Sequence, residues 1–362
     1  MTVQPTGDTD PTISRGRGAS RVLTMLLKYG VPLVITVGLC WLLLRDTDLE
    51  AMWAIVRRDC DSRWLILDVA CLIGAMVARA LRWQIQLRAL DIRASAGLLT
   101  LSVFGTYAVN MVFPRLGEVW RTGFVAARCR SPFTKVFGSM VADRLTDTVA
   151  VALISLLAFI LAGPQLMDFL ANAQGGAAAR IGSLLMSPML WGAIAAVTLI
   201  GVWLAVRYPQ SRVVSGVRKV VRGLWDGFAV IARMPGKGLW LFYTIALWNC
   251  YFWGLWAVFE SFPLLREVIS QYGLTALLVA FVLTSLSMLV PSNGGLGPWQ
   301  WAMIFALGFY SSTIPGLDRE YMATFANLAL GVQTILSITL GIITFAIIAF
   351  TRQSSTTPSH TS

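Results

Sequence analysis

Apolar stretches of about 20 residues recur along nearly the whole chain, and each is about as long as a helix must be to cross a hydrocarbon core. That pattern leaves few folds. In lipid an unpaired backbone amide costs several kcal/mol, so a crossing segment must close its hydrogen bonds within a helix or within a closed barrel. The long alternation of apolar and polar residues that barrel strands require is missing. The expectation is therefore an all-α, polytopic integral membrane protein. Composition agrees: of 362 residues 56% are hydrophobic and 13% charged, with a mean hydropathy of +0.69, where a soluble domain carries about a quarter charged residues.

The ends and the reactive side chains narrow the chemistry. Residues 1–22 are polar and read as a disordered cytoplasmic tail, as do residues 353–362. The apolar run that begins near Leu23 lacks a small-residue cleavage site, so it stays in the membrane and is not a signal peptide. Cys40, Cys60, Cys71, Cys129 and Cys250 lie far apart with no Cys-x-x-Cys pair, which points to neither disulfides nor zinc. The single histidine, His360, is in the C-terminal tail, which removes histidine-based metal sites and acid-base catalysis.

Within a single membrane domain spanning 23–352, apolar segments fall at residues 25–44, 64–83, 98–113, 136–161, 189–206, 239–259, 274–290, 299–309 and 322–350. The segment at 98–113 ends in Pro114 and is followed by Arg115, Glu118, Arg121, Arg128, Arg130 and Lys135, which a full crossing would export against the positive-inside rule. A re-entrant hairpin avoids this: the chain turns at Pro114 and returns through an amphipathic helix over 115–127. That helix has Leu116, Val119, Trp120, Gly123, Phe124 and Ala127 on one side and Arg115, Glu118, Arg121, Thr122 and Arg128 on the other. A second hairpin is expected over 274–309, where Pro291, Ser292, Asn293, Gly294, Gly295, Leu296, Gly297 and Pro298 interrupt an uncharged apolar region.

Two hairpins leave six full crossings with both termini in the cytoplasm. Basic clusters at 79–93, 115–135 and 207–237 then lie inside, and the acidic stretches 45–63 and 318–320 outside. Three crossings and a hairpin, repeated with opposite sidedness, make an inverted-topology repeat with halves at 25–163 and 189–350. The basic linker 207–238 joins them and reads either as a helix on an anionic leaflet or as a solvated cytosolic helix.

Three places could carry function. Asp143, Arg144 and Asp147 sit in the first turns of an otherwise apolar helix, where an ion-pair network with Arg121 or Arg115 is expected. That network either pins the hairpin or lines a groove for a charged head group. Arg79 and Arg82, next to Trp83, are either snorkelling anchors or a phosphate clamp. Asn293, Gly294, Gly295 and Gly297, ahead of Pro298 at a helix N1 position, either offer backbone amides to an anion or form a surface turn. Asn110, Asn249, Asn327 and Gln333 are uncharged polar residues whose default is interhelical hydrogen bonding.

These motifs together resemble a known family. Arg79-x-x-Arg82-Trp83, Asn110-x-x-x-Pro114-Arg115-x-Gly117-Glu118-x-x-Arg121, Asp143-Arg144-x-x-Asp147 and Pro291-x-x-Gly294-Gly295-Leu296-Gly297 are similar to the flippase-like lysylphosphatidylglycerol synthase transmembrane family. That family includes the membrane half of the bacterial multiple peptide resistance factor. The resemblance implies movement of an aminoacylated or otherwise charged lipid between leaflets of the cytoplasmic membrane, without a cofactor. The resistance factor's soluble aminoacyl transferase domain has no counterpart before Ser362, so lipid synthesis by this chain is not expected. Asp143 is shorter than the glutamate the family pattern leads one to expect. The expected head-group ligands are Arg79, Arg82, Asn110, Arg115, Glu118, Arg121, Asp143, Arg144, Asp147, Asn293, Gly294, Gly295 and Gly297. The expected partners are membrane lipids, with a homo-oligomer or a lipid-modifying enzyme also open, and no nucleic acid. The alternatives are a membrane-embedded enzyme acting on a polyprenyl or phospholipid head group, with Glu118 or Asp143 as acid or base, and an accessory subunit to such an enzyme.

Overall fold

The structure, a computed structural model, describes residues 49–113, 115–172, 234–290, 292 and 294–353, with scattered positions between 187 and 211. The expected crossing at 25–44 and the tail at 1–22 lie outside the described residues, as do most of the crossing at 189–206, most of the linker and nearly all of the tail at 353–362.

The continuous described stretches contain ten helices and no strand: α1 Leu49–Asp59, α2 Ser62–Arg88, α3 Ala96–Val112, α4 Leu116–Arg128, α5 Phe133–Asn172, α6 Lys237–Glu260, α7 Pro263–Tyr272, α8 Leu274–Ser287, α9 Pro298–Gly308 and α10 Arg319–Gln353. Four are long and apolar enough to cross a membrane, namely α2, α5 over Phe133–Gly163, α6, and α10 over Arg319–Thr351. The pair α7 and α8, bent by 112°, brings the number to five if counted as one span. The chain is thus a multi-pass helical membrane protein. By contrast α3, α8 and α9, with 17, 14 and 11 residues, fall short of the about 20 residues that a crossing takes.

Local chemistry sets where these helices begin. The Asp61 side chain accepts from the Arg63 amide at 3.1 Å, while the Asp61 amide donates to the Ser261 carbonyl at 2.9 Å, so the cap of α2 is also its tie to the end of α6. Pro263 at N1 starts α7, and Gly273, at φ 67°, turns it sharply into α8.

The two central helices, α2 and α6, run antiparallel. Trp64 packs edge-on against Trp256 at 5.2 Å, Gly254 faces Asp68 and Cys71, Gly74 faces Cys250, and Ala75 and Ala78 meet Leu247. Small residues let the two backbones approach, which is how helices gain packing energy where lipid removes the hydrophobic contrast. Each side of this seam carries its own apolar core. Trp83, Leu87, Leu99, Val103, Val125 and Val136 build one, and Phe259, Phe262, Leu265, Leu277, Met303 and Phe325 the other.

Two stretches share a packing pattern: α2 is followed by α3, α4 and α5, and α6, after the short α7, by α8, α9 and α10. In each, the two short helices pack together, and the second of them packs on the following long helix. The first of them crosses over, so that α3 lies against α10 and α8 against α5. Half or more of the side-chain surface of Leu153, Phe159, Ile160, Ile335, Ile342 and other outward residues of α5 and α10 is exposed, in keeping with a lipid-facing rim, Ile335 and Ile342 each at 67%.

Candidate functional site

Along α2, residues 68, 72, 75, 79, 82 and 86 alternate at spacings of four and three, which places them on one helix face. All six are buried. Arg79 and Arg82, near the end of that face, are 4% and 0% exposed, so they are not snorkelling anchors. Both are aimed at α5. The Arg82 guanidinium meets Asp143 at 2.7 Å and Asp147 at 2.8 Å, and Arg79 meets Asp147 at 2.6 Å and Asp143 at 3.8 Å. Asp143 and Asp147 are one turn apart on α5, so two arginines one turn apart on α2 can grip both. The shorter acid at 143 reaches its partner. Arg144 adds a second link, to Asp147 at 3.4 Å and to Glu118 of α4 at 3.4 Å.

The expected pairing of Asp143 and Asp147 with Arg121 or Arg115 is therefore corrected: their partners come from α2. Sequence spacing within the hairpin and α5 gave no sign that a third helix, about 60 residues upstream, would supply the guanidiniums.

The break between α3 and α4 is stitched by side chains. Pro114 lies outside the described residues. Arg115 sits at φ 59°, a left-handed conformation unusual for a residue with a Cβ. The Asn110 carbonyl oxygen accepts from the Gly117 amide at 2.8 Å, and its amide group points to Glu118 at 3.5 Å. Gly117 leaves no room for a side chain, since a Cβ there would run into the Thr106 carbonyl and Asn110. Beyond the break, α4 is amphipathic as its sequence predicts, but its polar face turns inward. Arg121 and Thr122 are fully buried, whereas Val119 is 46% exposed. Arg121 stacks over the Trp83 ring at 3.9 Å, and the Trp83 indole N–H donates to Ser139 Oγ at 3.0 Å.

Arg115 is placed elsewhere. Its guanidinium donates to the Leu289 carbonyl at 2.6 Å, just past the end of α8, and approaches the Met288 carbonyl at 3.5 Å. Met111, on the last turn of α3, lies against Gly294. The two breaks therefore touch. In the second break Gly294, Gly295 and Gly297 all adopt positive φ, and Asn293 lies outside the described residues. Pro298 does occupy N1 of α9, but the Gly297 amide is already bonded to Gln300 Oε1 at 2.7 Å. Gln300 in turn donates to Asn327 of α10 at 2.7 Å, so Asn327 does join helices, whereas Asn249 bonds the Ile245 carbonyl of its own helix.

Seven of the thirteen expected ligands thus converge: Arg79, Arg82, Glu118, Arg121, Asp143, Arg144 and Asp147, with Asn110 at their edge through Glu118. Two further residues join them. The hydroxyls of Tyr107 on α3 and Tyr251 on α6 are 2.9 Å apart, and both lie within electrostatic reach of Arg79. The signal for them was available, because a tyrosine in an apolar run needs a partner for its hydroxyl. Among the described residues no group of three or more His, Cys, Asp or Glu converges as metal ligands would. The arrangement is a charged cluster at the junction of α2, α4 and α5.

Comparison with known proteins gives the lineage. Over 95 residues, 26% of this chain, the sequence is 30% identical to a Haloferax volcanii protein named Glycosyltransferase AglD, and the match covers 15% of that protein's length. No solved structure matches the chain. The Lysylphosphatidylglycerol synthase TM region family matches residues 30–341, most of the chain, and the protein belongs to that family.

Proposed function

We propose that this protein moves a membrane lipid with a charged or phosphate-bearing head group between the leaflets of the cytoplasmic membrane. The observation that carries the reading is the gathering of seven ionisable side chains, of which Arg79, Arg82, Arg121 and Asp143 are buried, where a broken helix pair meets two long helices. Charges are costly inside a bilayer and line polar pathways when they occur there. In this reading α3–α4 and α8–α9 are re-entrant hairpins entering from opposite sides, both termini are cytoplasmic, and the halves form an inverted repeat around the hairpin tips. The head group passes the ionic cluster while the acyl chains stay in lipid.

The test is leaflet transfer of a fluorescent phospholipid in vesicles containing the purified protein. Transfer above the protein-free level is expected, with a loss of tenfold or more in Glu118→Gln, which frees the α4 end of the Arg144 bridge. Equal transfer with and without protein refutes the proposal.

A second reading is supported by the similarity to part of a protein named as a glycosyltransferase. In it the region presents a lipid phosphate to a head-group-modifying enzyme, and product formation from labelled lipid would require a partner protein.

A further inference from the structure

The cluster is not balanced. Among the described residues four guanidiniums, those of Arg79, Arg82, Arg121 and Arg144, meet three carboxylates. All three carboxylates are taken: Asp143 by Arg82, Asp147 by Arg79, Arg82 and Arg144, and Glu118 by Arg144. Among the described residues Arg121 has no carboxylate within ion-pairing distance. Its contact is with the Trp83 ring, which engages the face of the guanidinium and leaves its hydrogen-bonding edge free.

That edge is buried and empty-handed. Nε and Nη2 of Arg121 have no hydrogen-bond partner, although the residue is 0% exposed. Nearby, Nε of Arg79, Nη1 of Arg82 and Nε of Arg144 are also buried without an acceptor, and the unmatched acceptors, Asp143 Oδ2 and Gln86 Oε1 on the same α2 face, are fewer than these donors. An arginine does not shed its proton to escape burial. Buried donors of this kind call for an acceptor, and the planar guanidinium edge fits two oxygens of one phosphate.

We infer that Arg121, held on Trp83 beside the Arg79–Arg82–Asp143–Asp147 network, is the seat of an anionic phosphate group, so that the lipid handled here carries net negative charge. This rests on the lipid-translocation reading and gives it a substrate class. It also departs from the aminoacylated cargo that the family resemblance implies: a cationic head group would meet four guanidiniums against three carboxylates, each of them already in an ion pair. Binding energy comes from charge-assisted hydrogen bonds to the Arg121 edge, and discrimination from the repulsion of a head-group amine.

The experiment is competitive lipid retention by the full-length protein in detergent, read by native mass spectrometry, with phosphatidic acid, lysylphosphatidylglycerol and inorganic phosphate as probes. The wild-type protein is expected to retain phosphatidic acid over lysylphosphatidylglycerol by at least about tenfold. Arg121→Gln should abolish that preference and Arg121→Lys keep part of it. Equal retention of the two lipids, or preference for the cationic one, overturns the inference without any variant having to fold. Displacement by inorganic phosphate, without lipid selectivity, overturns the assignment to a lipid head group. Because retention is measured at equilibrium, selective retention without leaflet transfer would refute translocation and leave the phosphate seat standing.

Discussion

Removing Arg82 should unfold more of this protein's stability than removing Arg82 and Asp143 together. Arg82 is 0% exposed and reaches Asp143 at 2.7 Å and Asp147 at 2.8 Å. At an effective dielectric of about 20, a pair at that distance gains roughly 6 kcal/mol of gross attraction, most of which offsets the cost of taking both charges out of water. Arg82→Met leaves Asp143 buried with Arg79 at 3.8 Å as its remaining ion-pair partner, and a stranded charge of this kind costs about 3–5 kcal/mol. Asp143→Leu strands part of Arg82 in the same way, although Asp147 still holds it. The double variant Arg82→Met/Asp143→Leu removes both charges, while Asp147 keeps Arg79 and Arg144. It should be less destabilised than Arg82→Met by about 2 kcal/mol or more. Reversible unfolding in mixed micelles, run as a double-mutant cycle, measures this. Additive losses would show that the two side chains do not act as a buried pair and would remove the central element of the site.

Four other outcomes follow from the geometry. Gly254→Val places new atoms against Asp68 Oδ1, 2.9 Å from an ideal Cβ, and should cost about 1–3 kcal/mol in the same unfolding assay by forcing α2 from α6. Trp83→Ala should cost about 3–5 kcal/mol and also release Arg121, so phosphatidic acid retention should fall with stability. Arg115→Ala and Arg115→Gly both lose the bond to Leu289, but the glycine variant relieves the left-handed backbone and should be the more stable by about 1 kcal/mol in thermal unfolding. Outside the spans, the Arg58 guanidinium beside Asp59 holds that carboxyl below the usual carboxylate range. Its contribution is therefore present at neutral pH and lost as pH falls through the folded value, and limited proteolysis near α1 should rise on acidification in the wild type but not in Asp59→Asn.

Much of the fold was legible because the bilayer simplifies the physics. An apolar run must be helical, so the spans corresponding to α2, α5, α6 and α10, the breaks between α3 and α4 and near Gly294, and the start of α9 at Pro298 could be read from residue type and length alone. The two faces of α4 were also legible, but not which faced the protein, because in lipid the polar face is the one that seeks the interior. What could not be read was partnership across distant helices. Asp143 and Asp147 announced that cations would be needed, yet the reading looked to Arg121 or Arg115, and only the packing of α2 on α5 showed that Arg79 and Arg82 supply them. Tyr107 and Tyr251 each signalled that a hydroxyl partner was needed, but a pair separated by 144 positions leaves no local pattern that names the partner.

The same logic separates structural from functional polar residues around the breaks. Ending a helix exposes amides and carbonyls that the helix itself cannot satisfy. Asn110 answers this at the first break by accepting from Gly117, Gln300 answers it at the second by accepting from Gly297, and Arg115 covers the carbonyls past the end of α8. Each of these side chains is accounted for by the backbone group it satisfies, so each is expected to show its effect first in stability. Arg121 satisfies no backbone group and no carboxylate. A fully buried cation kept at such a cost, when a leucine would pack in its place, is explained by a ligand that it receives and releases, and its substitution should therefore alter lipid selectivity more than stability.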